Sequence, residues 1–171
     1  MNNEQQSEEN AEVLLTRHEH FIDEAFKEAF YGIRNDLGGP FGAVVVKDGV
    51  ILGKGCNRVT SDNDPTAHAE VTAIRSACKN SGSFDLSGAV IYCTCEPCPM
   101  CLSAIYWANI DAVYFSLTQF DADGIGFSDH KIYSELAMGI EDRSVKFEKI
   151  DHPLSRELFE EWSKNPQKIQ Y

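Results

Sequence analysis

Residues 89–117 read AVIYCTCEPCPMCLSAIYWANIDAVYFSL and place three predicted elements next to one another. An apolar run at Ala89–Cys95 predicts a strand, and Cys98 with Pro99 begins a helix that continues to Trp107. A second apolar run at Ala112–Leu117 predicts another strand. This strand–helix–strand order is typical of an α/β fold.

The remaining segments extend that pattern in both directions. Apolar residues spaced three and four apart predict a helix over Glu12–Leu37, which Gly38-Gly39-Pro40 ends. A hairpin follows, with strands at 41–46 and 50–53 around Asp48-Gly49, and a further helix begins at Asp64-Pro65. A strand at 145–150 and a helix at 153–162 complete the order. We predict a three-layer α/β/α sandwich with a mixed sheet.

The composition indicates an acidic globular protein. Its 27 Asp and Glu residues outnumber 15 Lys and Arg, which gives a net charge of −12. That charge repels phosphate backbones, so we expect a small-molecule substrate rather than nucleic acid. No apolar run is long enough to cross a membrane. Residues 1–10 are polar and acidic, which predicts a disordered tail rather than a secretory signal, and we expect a cytoplasmic, reducing location.

In a reducing compartment, clustered cysteines favour metal binding or catalysis over disulfides. Cys98 and Cys101 lie at the start of one predicted helix, and His68 lies at the start of another. Two thiolates and one imidazole leave the fourth tetrahedral position open, which is the ligand count of a catalytic zinc whose bound water ionises near neutral pH. Glu70, two residues after His68, is the candidate that manages the protons of that water.

Two alternatives remain at this point. All four cysteines of residues 93–101 could form a closed zinc site or hold an iron–sulfur cluster, in a binding module without catalytic activity. Against this, alternation places Cys93 and Cys95 on one face of a strand, where a buried thiol is ordinary core material. Residues two apart on a regular helix point in nearly opposite directions, so His68 and Glu70 would share a site only at the helix end.

The order His68-Ala-Glu70 and then Pro97-Cys98-x-x-Cys101 resembles the signature of the zinc-dependent nucleobase deaminases. The runs GGPFGAVVVKDG, NDPTAHAEVTAIR and CEPCPMCLSAIYWA are similar to those of bacterial guanine deaminases. The resemblance covers residues 20 to 135 and includes Tyr171. It implies the cytidine-deaminase-like fold, with a five-stranded sheet between helices, in homodimers.

The resemblance also implies residue roles. His68, Cys98 and Cys101 would bind one Zn²⁺ per chain, and Glu70 would be the catalytic proton shuttle. Substrate contacts would come from Asn57, Phe41, Asp129 of the loop 120–130, and Tyr171 from the partner subunit. Ser128 departs from the family pattern, because close relatives often carry an acid there.

The implied reaction is hydrolytic deamination of guanine at C2, which yields xanthine and ammonia and belongs to purine metabolism. The alternatives are guanosine deamination, then tRNA adenosine or cytosine deamination. We expect a single domain over 11–171, with residues from about 151 to 171 covering a partner subunit's site.

Overall fold

The computed structural model describes the backbone of residues 3–171 and the side chains of residues 15–171. Two compact units divide the chain, the first ending at Asp129 and the second beginning at His130. The single domain expected over 11–171 stays a prediction. No helix within the described residues is both long and apolar enough to cross a membrane. The elements are α1 (Asn3–Arg34), β1 (Gly42–Lys47), β2 (Val50–Cys56), α2 (Val59–Asp62), α3 (Ala69–Ser81), β3 (Ala89–Cys95), α4 (Pro99–Trp107), β4 (Ala112–Leu117), α5 (Gln119–Asp123), α6 (His130–Ala137), a 3₁₀ turn (Ile140–Asp142) and α7 (Leu154–Lys164).

The first unit contains a mixed sheet in the order β2-β1-β3-β4. β1 pairs antiparallel with β2 and with β3. β3 and β4 pair in parallel, and α4 connects them in the chain. Helix α1 covers one face, where Phe21 and Ala25 pack on Val44. Helices α3 and α4 cover the other face through Ala73 and Ile105. The predicted three-layer arrangement and mixed sheet are therefore confirmed.

The sheet has four strands within the described residues, so the expected fifth strand is wrong. Residues 145–148 alternate apolar and charged side chains, as a strand does, but residues 145–150 pair with no strand of the sheet. Lys146 and Glu148 instead form an ion pair at 2.6 Å, and Val145 and Ile150 are exposed. Alternation predicts a strand only where another strand can accept its backbone hydrogen bonds.

Helix α1 is longer than the sequence predicts. Its backbone is helical from Asn3, which falls inside the expected tail of residues 1–10, and it ends at Arg34 before the glycines. The expected tail begins with two residues that lie outside the described part of the chain. Glu, Gln and Ala are strong helix formers, and they let the helix extend beyond its apolar stripe.

Two glycines of β2 bring α3 unusually close to the sheet. A Cβ atom at Gly55 would lie 2.5 Å from the carbonyl oxygen of Ala69, and one at Gly53 would lie 2.5 Å from that of Ala73. Only a residue without a side chain permits backbone to approach backbone at this distance. The pair therefore fixes the first turn of α3, directly after His68.

Candidate active site

The structure places His68 and Cys98 immediately before their helices rather than inside them. Both are N-cap residues with extended backbones, at φ −68° and ψ 159° for His68 and φ −64° and ψ 167° for Cys98. The predicted start of α3 at Asp64 is therefore too early. The Asp64 carboxylate accepts hydrogen bonds from the Thr66 amide at 2.8 Å and hydroxyl at 2.7 Å, which forms a turn. Because His68 is extended, the opposition expected for residues two apart on a helix does not apply to Glu70.

Three side chains from these two helix starts meet at one point. The Nδ1 atom of His68 lies 3.5 Å from the Sγ atoms of both Cys98 and Cys101. All three donor atoms lie within 4.8 Å of one another. Zinc with bonds of about 2.3 Å to sulfur and 2.0–2.1 Å to nitrogen would separate tetrahedral S and N ligands by about 3.6 Å. The donor set and its spacing therefore fit zinc.

The protonation of this cluster also suits metal binding. Hydrogen bonding from Cys101 and then from His68 lowers the pKa of the Cys98 thiol to about 4. The same contact with Cys98 raises the pKa of Cys101, and a hydrogen bond to Cys98 raises the pKa of His68. A lowered thiol pKa favours the thiolate form that binds a metal, and metal binding displaces the remaining ligand protons.

Glu70 is a buried carboxyl group in contact with the cluster. Its side chain is 7% exposed, and the Cys101 thiol donates to its Oε2 atom at 3.3 Å. Burial is the main cause that raises the pKa of Glu70. A carboxyl group with a raised pKa beside a metal site can both accept and return a proton, as general acid–base chemistry requires.

The other two cysteines of residues 93–101 are separate from this cluster. Cys93 is 1% exposed and packs in the core between the sheet and α3. The Cys95 thiol donates to the carbonyl oxygen of Thr118 at 3.3 Å. Burial raises the pKa of both thiols, to about 11 for Cys95. Among the described side chains, the metal-binding group contains His68, Cys98 and Cys101 alone, and it leaves out Cys93 and Cys95.

Asn57 and Phe41, predicted to contact a substrate, lie side by side. The backbone N–H of Asn57 donates to the carbonyl oxygen of Phe41 at 3.0 Å. The Asn57 side chain is buried, and its Oδ1 accepts from the amides of Gly39 at 3.1 Å and Val59 at 3.2 Å. With Oδ1 occupied, the Nδ2 group of Asn57 is the part of the amide that can donate to a ligand.

The segment after Asn57 is joined to the metal cluster through the backbone. Arg58 donates from its backbone N–H to the carbonyl oxygen of Ala67 at 2.9 Å, directly before His68.

Asp129 is half-buried at the end of the first unit. Tyr171 is 78% exposed and belongs to the second unit. The roles of Asp129 and Tyr171 stay predictions.

Phe127 and Glu96 lie near the site, but the sequence did not identify them as functional residues. The Phe127 ring meets the Phe41 ring edge-to-face at 5.0 Å. The Glu96 carboxylate accepts from the Gln119 amide at 3.1 Å. The one signal in sequence was Gly126, which adopts φ +91° and thereby turns the chain into Phe127.

Comparison with known proteins identifies similar chains. Residues 15–117 match the cytidine and deoxycytidylate deaminase zinc-binding region. The guanine deaminase of Bacillus subtilis (strain 168) is 46% identical over 90% of this chain and 99% of its own length. The X-ray structure of guanine deaminase from Bacillus subtilis superposes with a TM-score of 0.87 over 90% of this chain and 98% of that one, at 46% identity. A tRNA-specific adenosine deaminase of Agrobacterium fabrum (strain C58 / ATCC 33970) is 44% identical, over 56% of this chain and 62% of its own length.

Proposed function

We propose that this chain, which belongs to the cytidine and deoxycytidylate deaminase family and within it to the bacterial guanine deaminases, hydrolyses guanine at C2 to xanthine and ammonia. The observation that carries the proposal is the buried Glu70 carboxyl group, in contact with a histidine and two cysteines spaced for zinc. The zinc-dependent nucleobase deaminases use this pairing of a metal site with a proton carrier.

Glu70 moves the protons of the reaction. Zinc held by His68, Cys98 and Cys101 supplies Lewis-acid activation of the reacting water. The Glu70 carboxylate accepts a proton from that water as its oxygen bonds to C2, and then donates the proton to the adjacent ring nitrogen. A second transfer moves the proton of the new C2 hydroxyl group to the exocyclic amine, the C2=O bond forms as the bond from C2 to the amine breaks, and ammonia leaves. Burial of Glu70 supports this role, because it favours the protonated intermediate state of the shuttle.

Three residues orient the base in this proposal. Asn57 donates from Nδ2 to a ring acceptor, and its two hydrogen bonds from backbone amides hold the side chain in place. Phe41 stacks on the ring, and Asp129 accepts N–H groups of guanine. These are polar contacts to a base edge combined with an aromatic face, which is how proteins read an unpaired base.

Ammonia release from guanine, guanosine, adenine, cytosine and cytidine tests the reaction. We expect guanine to be the preferred substrate and the two pyrimidines to be inactive. Guanosine at a kcat/KM equal to that of guanine would show a nucleoside enzyme. No ammonia from guanine in the zinc-loaded protein would contradict the proposal.

The tRNA adenosine deaminases are the second candidate, because one of them is 44% identical to this chain over 97 residues. Their substrate is a polyanion, and a chain with a net charge of −12 repels it. A minimal tRNA anticodon stem-loop added to the substrate panel tests this candidate, and we expect no inosine.

We extend the proposal to a homodimer in which the second unit covers the partner subunit's site, with Tyr171 near the base. Its support is exposed apolar surface. Helix α7 exposes Leu154, Leu158 and Trp162 at spacings of four, and no side chain of residues 130–171 is buried. Such a stripe needs a covering partner. Removal of residues 167–171, with Tyr171→Ala as the matched point variant, should lower turnover of guanine. Unchanged turnover in both would contradict this part.

We place the enzyme in the cytoplasm, as part of purine breakdown and salvage. The support is chemical, since a metal site with two cysteine ligands requires reduced thiols and all six cysteines are free. Fractionation of cells that carry a tagged chain tests this location.

A further inference from the structure

The loop that carries Asp129 is attached at its beginning to the turn that carries Cys98. The backbone N–H of Glu96 donates to the carbonyl oxygen of Leu117 at 2.8 Å, and the Gln119 amide donates back to the Glu96 carboxylate at 3.1 Å. The Cys95 thiol adds a bond to Thr118. Two contacts therefore hold the start of residues 118–129, hereafter the 118–129 loop, beside the turn that carries Cys98, and a third holds Leu117 directly before it.

The same loop is attached at its far end by an aromatic ring. The Phe127 amide donates to the carbonyl oxygen of Ala122 at 3.0 Å, which closes the turn at Gly126. The Phe127 ring then lies edge-to-face against Phe41, with an interplanar angle of 89°. Edge-to-face contact is a favoured arrangement of aromatic pairs, so this is a specific attachment rather than a loose one.

Gly39 lies beneath both rings. A Cβ atom at Gly39 would be 3.0 Å from Cζ of Phe127 and 3.1 Å from Cε2 of Phe41. The amide of Gly39 also donates to the Asn57 side chain at 3.1 Å. Phe127 therefore contacts Phe41 directly and is linked to Asn57 through Gly39. Phe41 and Asn57 are the two residues assigned to the substrate ring.

We propose that Phe127 is a positioning residue for the substrate, which holds Asp129 beside the base by docking the 118–129 loop on Phe41 and Gly39. Asp129 follows Phe127 by two residues, so the loop has little freedom to move one without the other. The inference rests on the proposed function, because it assumes that Asp129 contacts the purine.

A purely structural role for Phe127 is not favoured by its burial. Its side chain is 47% exposed, whereas the rings that form the core of the first unit are almost fully covered, such as Phe21 at 6% and Tyr92 at 4%. A half-exposed ring at the end of a loop contributes little to a core. The main consequence of its contact with Phe41 is that the position of the loop is fixed.

The test compares Phe127→Ala with Phe120→Ala in the zinc-loaded enzyme. Phe120 belongs to the same loop but is 77% exposed. We expect Phe127→Ala to raise KM for guanine about tenfold while kcat falls by less than about threefold, since an interaction used for binding is lost. Phe120→Ala should leave both constants unchanged. Phe127→Leu, which keeps an apolar side chain against Phe41, should recover part of the loss and serves as the readout if Phe127→Ala does not fold.

A double-mutant cycle with Asp129→Ala identifies the route of the effect. If Phe127 acts by holding Asp129, then Phe127→Ala should raise KM little further in the Asp129→Ala background. Additive effects would mean direct contact between Phe127 and the base and would overturn the inference. An unchanged KM in Phe127→Ala would overturn it as well. In both cases wild-type guanine turnover would leave the proposed function standing, whereas absence of that turnover would remove the proposed function itself.

Discussion

Cys93 and Cys95 can be compared directly with Cys98 and Cys101, because nine residues contain both pairs. The first pair belongs to β3, where burial raises both thiol pKa values. The second pair belongs to the start of α4, where contact with Cys101 and His68 lowers the pKa of Cys98 to about 4. The same side chain is an inert core residue in one position and a metal ligand in the other.

The difference between the pairs lies in the backbone that carries them. Cys98 has an extended backbone before α4, as His68 has before α3, and both therefore point to the space between the two helix starts. Helix amino ends also favour negative charge, which stabilises a thiolate. Cysteine density alone therefore says less about metal binding than the element on which each cysteine lies.

The largest expected effect concerns Glu70, which contacts Cys101 in the metal-binding pair. Glu70→Gln should lower kcat for guanine by at least about 10²–10⁴-fold, because a positioned general acid–base contributes that much. Zinc content should stay at the wild-type value. Near-normal turnover in a zinc-loaded Glu70→Gln protein would remove Glu70 from the mechanism.

The position of His68, the third metal ligand, depends on the close packing of α3 on β2. Gly55→Ala would disturb this packing. The added Cβ would lie 2.5 Å from the Ala69 carbonyl oxygen, so α3 must shift. We expect a loss of about 1–3 kcal/mol in the free energy of unfolding and weaker zinc binding, measured by urea titration and by competition with a chelator.

Gly124→Ala is the matched control for this change, because its Cβ would meet no atom closer than 3.4 Å. It should alter neither quantity. Zinc affinity that stays at the wild-type value in Gly55→Ala would mean that the position of His68 does not depend on this packing.

A narrower effect, on stability without an effect on zinc binding, is expected in the core pair of cysteines. Cys93→Ser places a hydroxyl group where the thiol is 1% exposed, which should destabilise the fold by about 1–3 kcal/mol through an unsatisfied polar group. Cys78→Ser is the control at a half-buried position and should cost less. Urea unfolding of the zinc-loaded proteins measures both. Equal free energies of unfolding for Cys93→Ser and Cys78→Ser would argue against a packing role for Cys93.

The smallest effect lies away from both cysteine pairs, in the ion pairs that Glu24 of α1 forms with Lys27 of the same helix and with Lys54 of β2. Glu24 contacts Lys27 at 2.6 Å and also Lys54, and hydrogen bonds from them lower the pKa of Glu24 from its ordinary 4.5 to about 2. A lowered carboxyl pKa stabilises the fold above the ordinary value, and this contribution is lost as pH falls through the folded value.

Glu24→Gln should therefore reduce the free energy of unfolding near pH 7 by no more than about 1 kcal/mol, since the partners are exposed. The difference from wild type should narrow as pH falls from 4.5 towards 2. A difference that is constant over this range, followed by urea titration, would assign the effect to packing.

Much of the first unit could be predicted from sequence. The strands at 89–95 and 112–117 were predicted with the observed bounds, because each is a short apolar run between clear turn signals. The predicted start of α3 was too early, because Asp64 caps a turn that precedes the helix and does not cap the helix itself. The strand predicted at 145–150 is not formed, because its sequence pattern does not show whether a neighbouring strand can pair with it.

The metal-binding residues could be proposed from spacing and from resemblance to the deaminases. The contact between Cys101 and Glu70 could not, since it depends on two helix starts meeting in space. Phe127 was overlooked for the same reason. Its significance comes from Phe41 and Gly39, which lie more than eighty residues earlier in the chain.

The most direct test of the division between the two cysteine pairs is zinc content per chain in Cys93→Ser and Cys98→Ser, measured side by side on folded protein. We expect one zinc per chain in wild type and in Cys93→Ser, and loss of zinc in Cys98→Ser. Loss of zinc in both variants would contradict this division and restore a closed site built from all four cysteines.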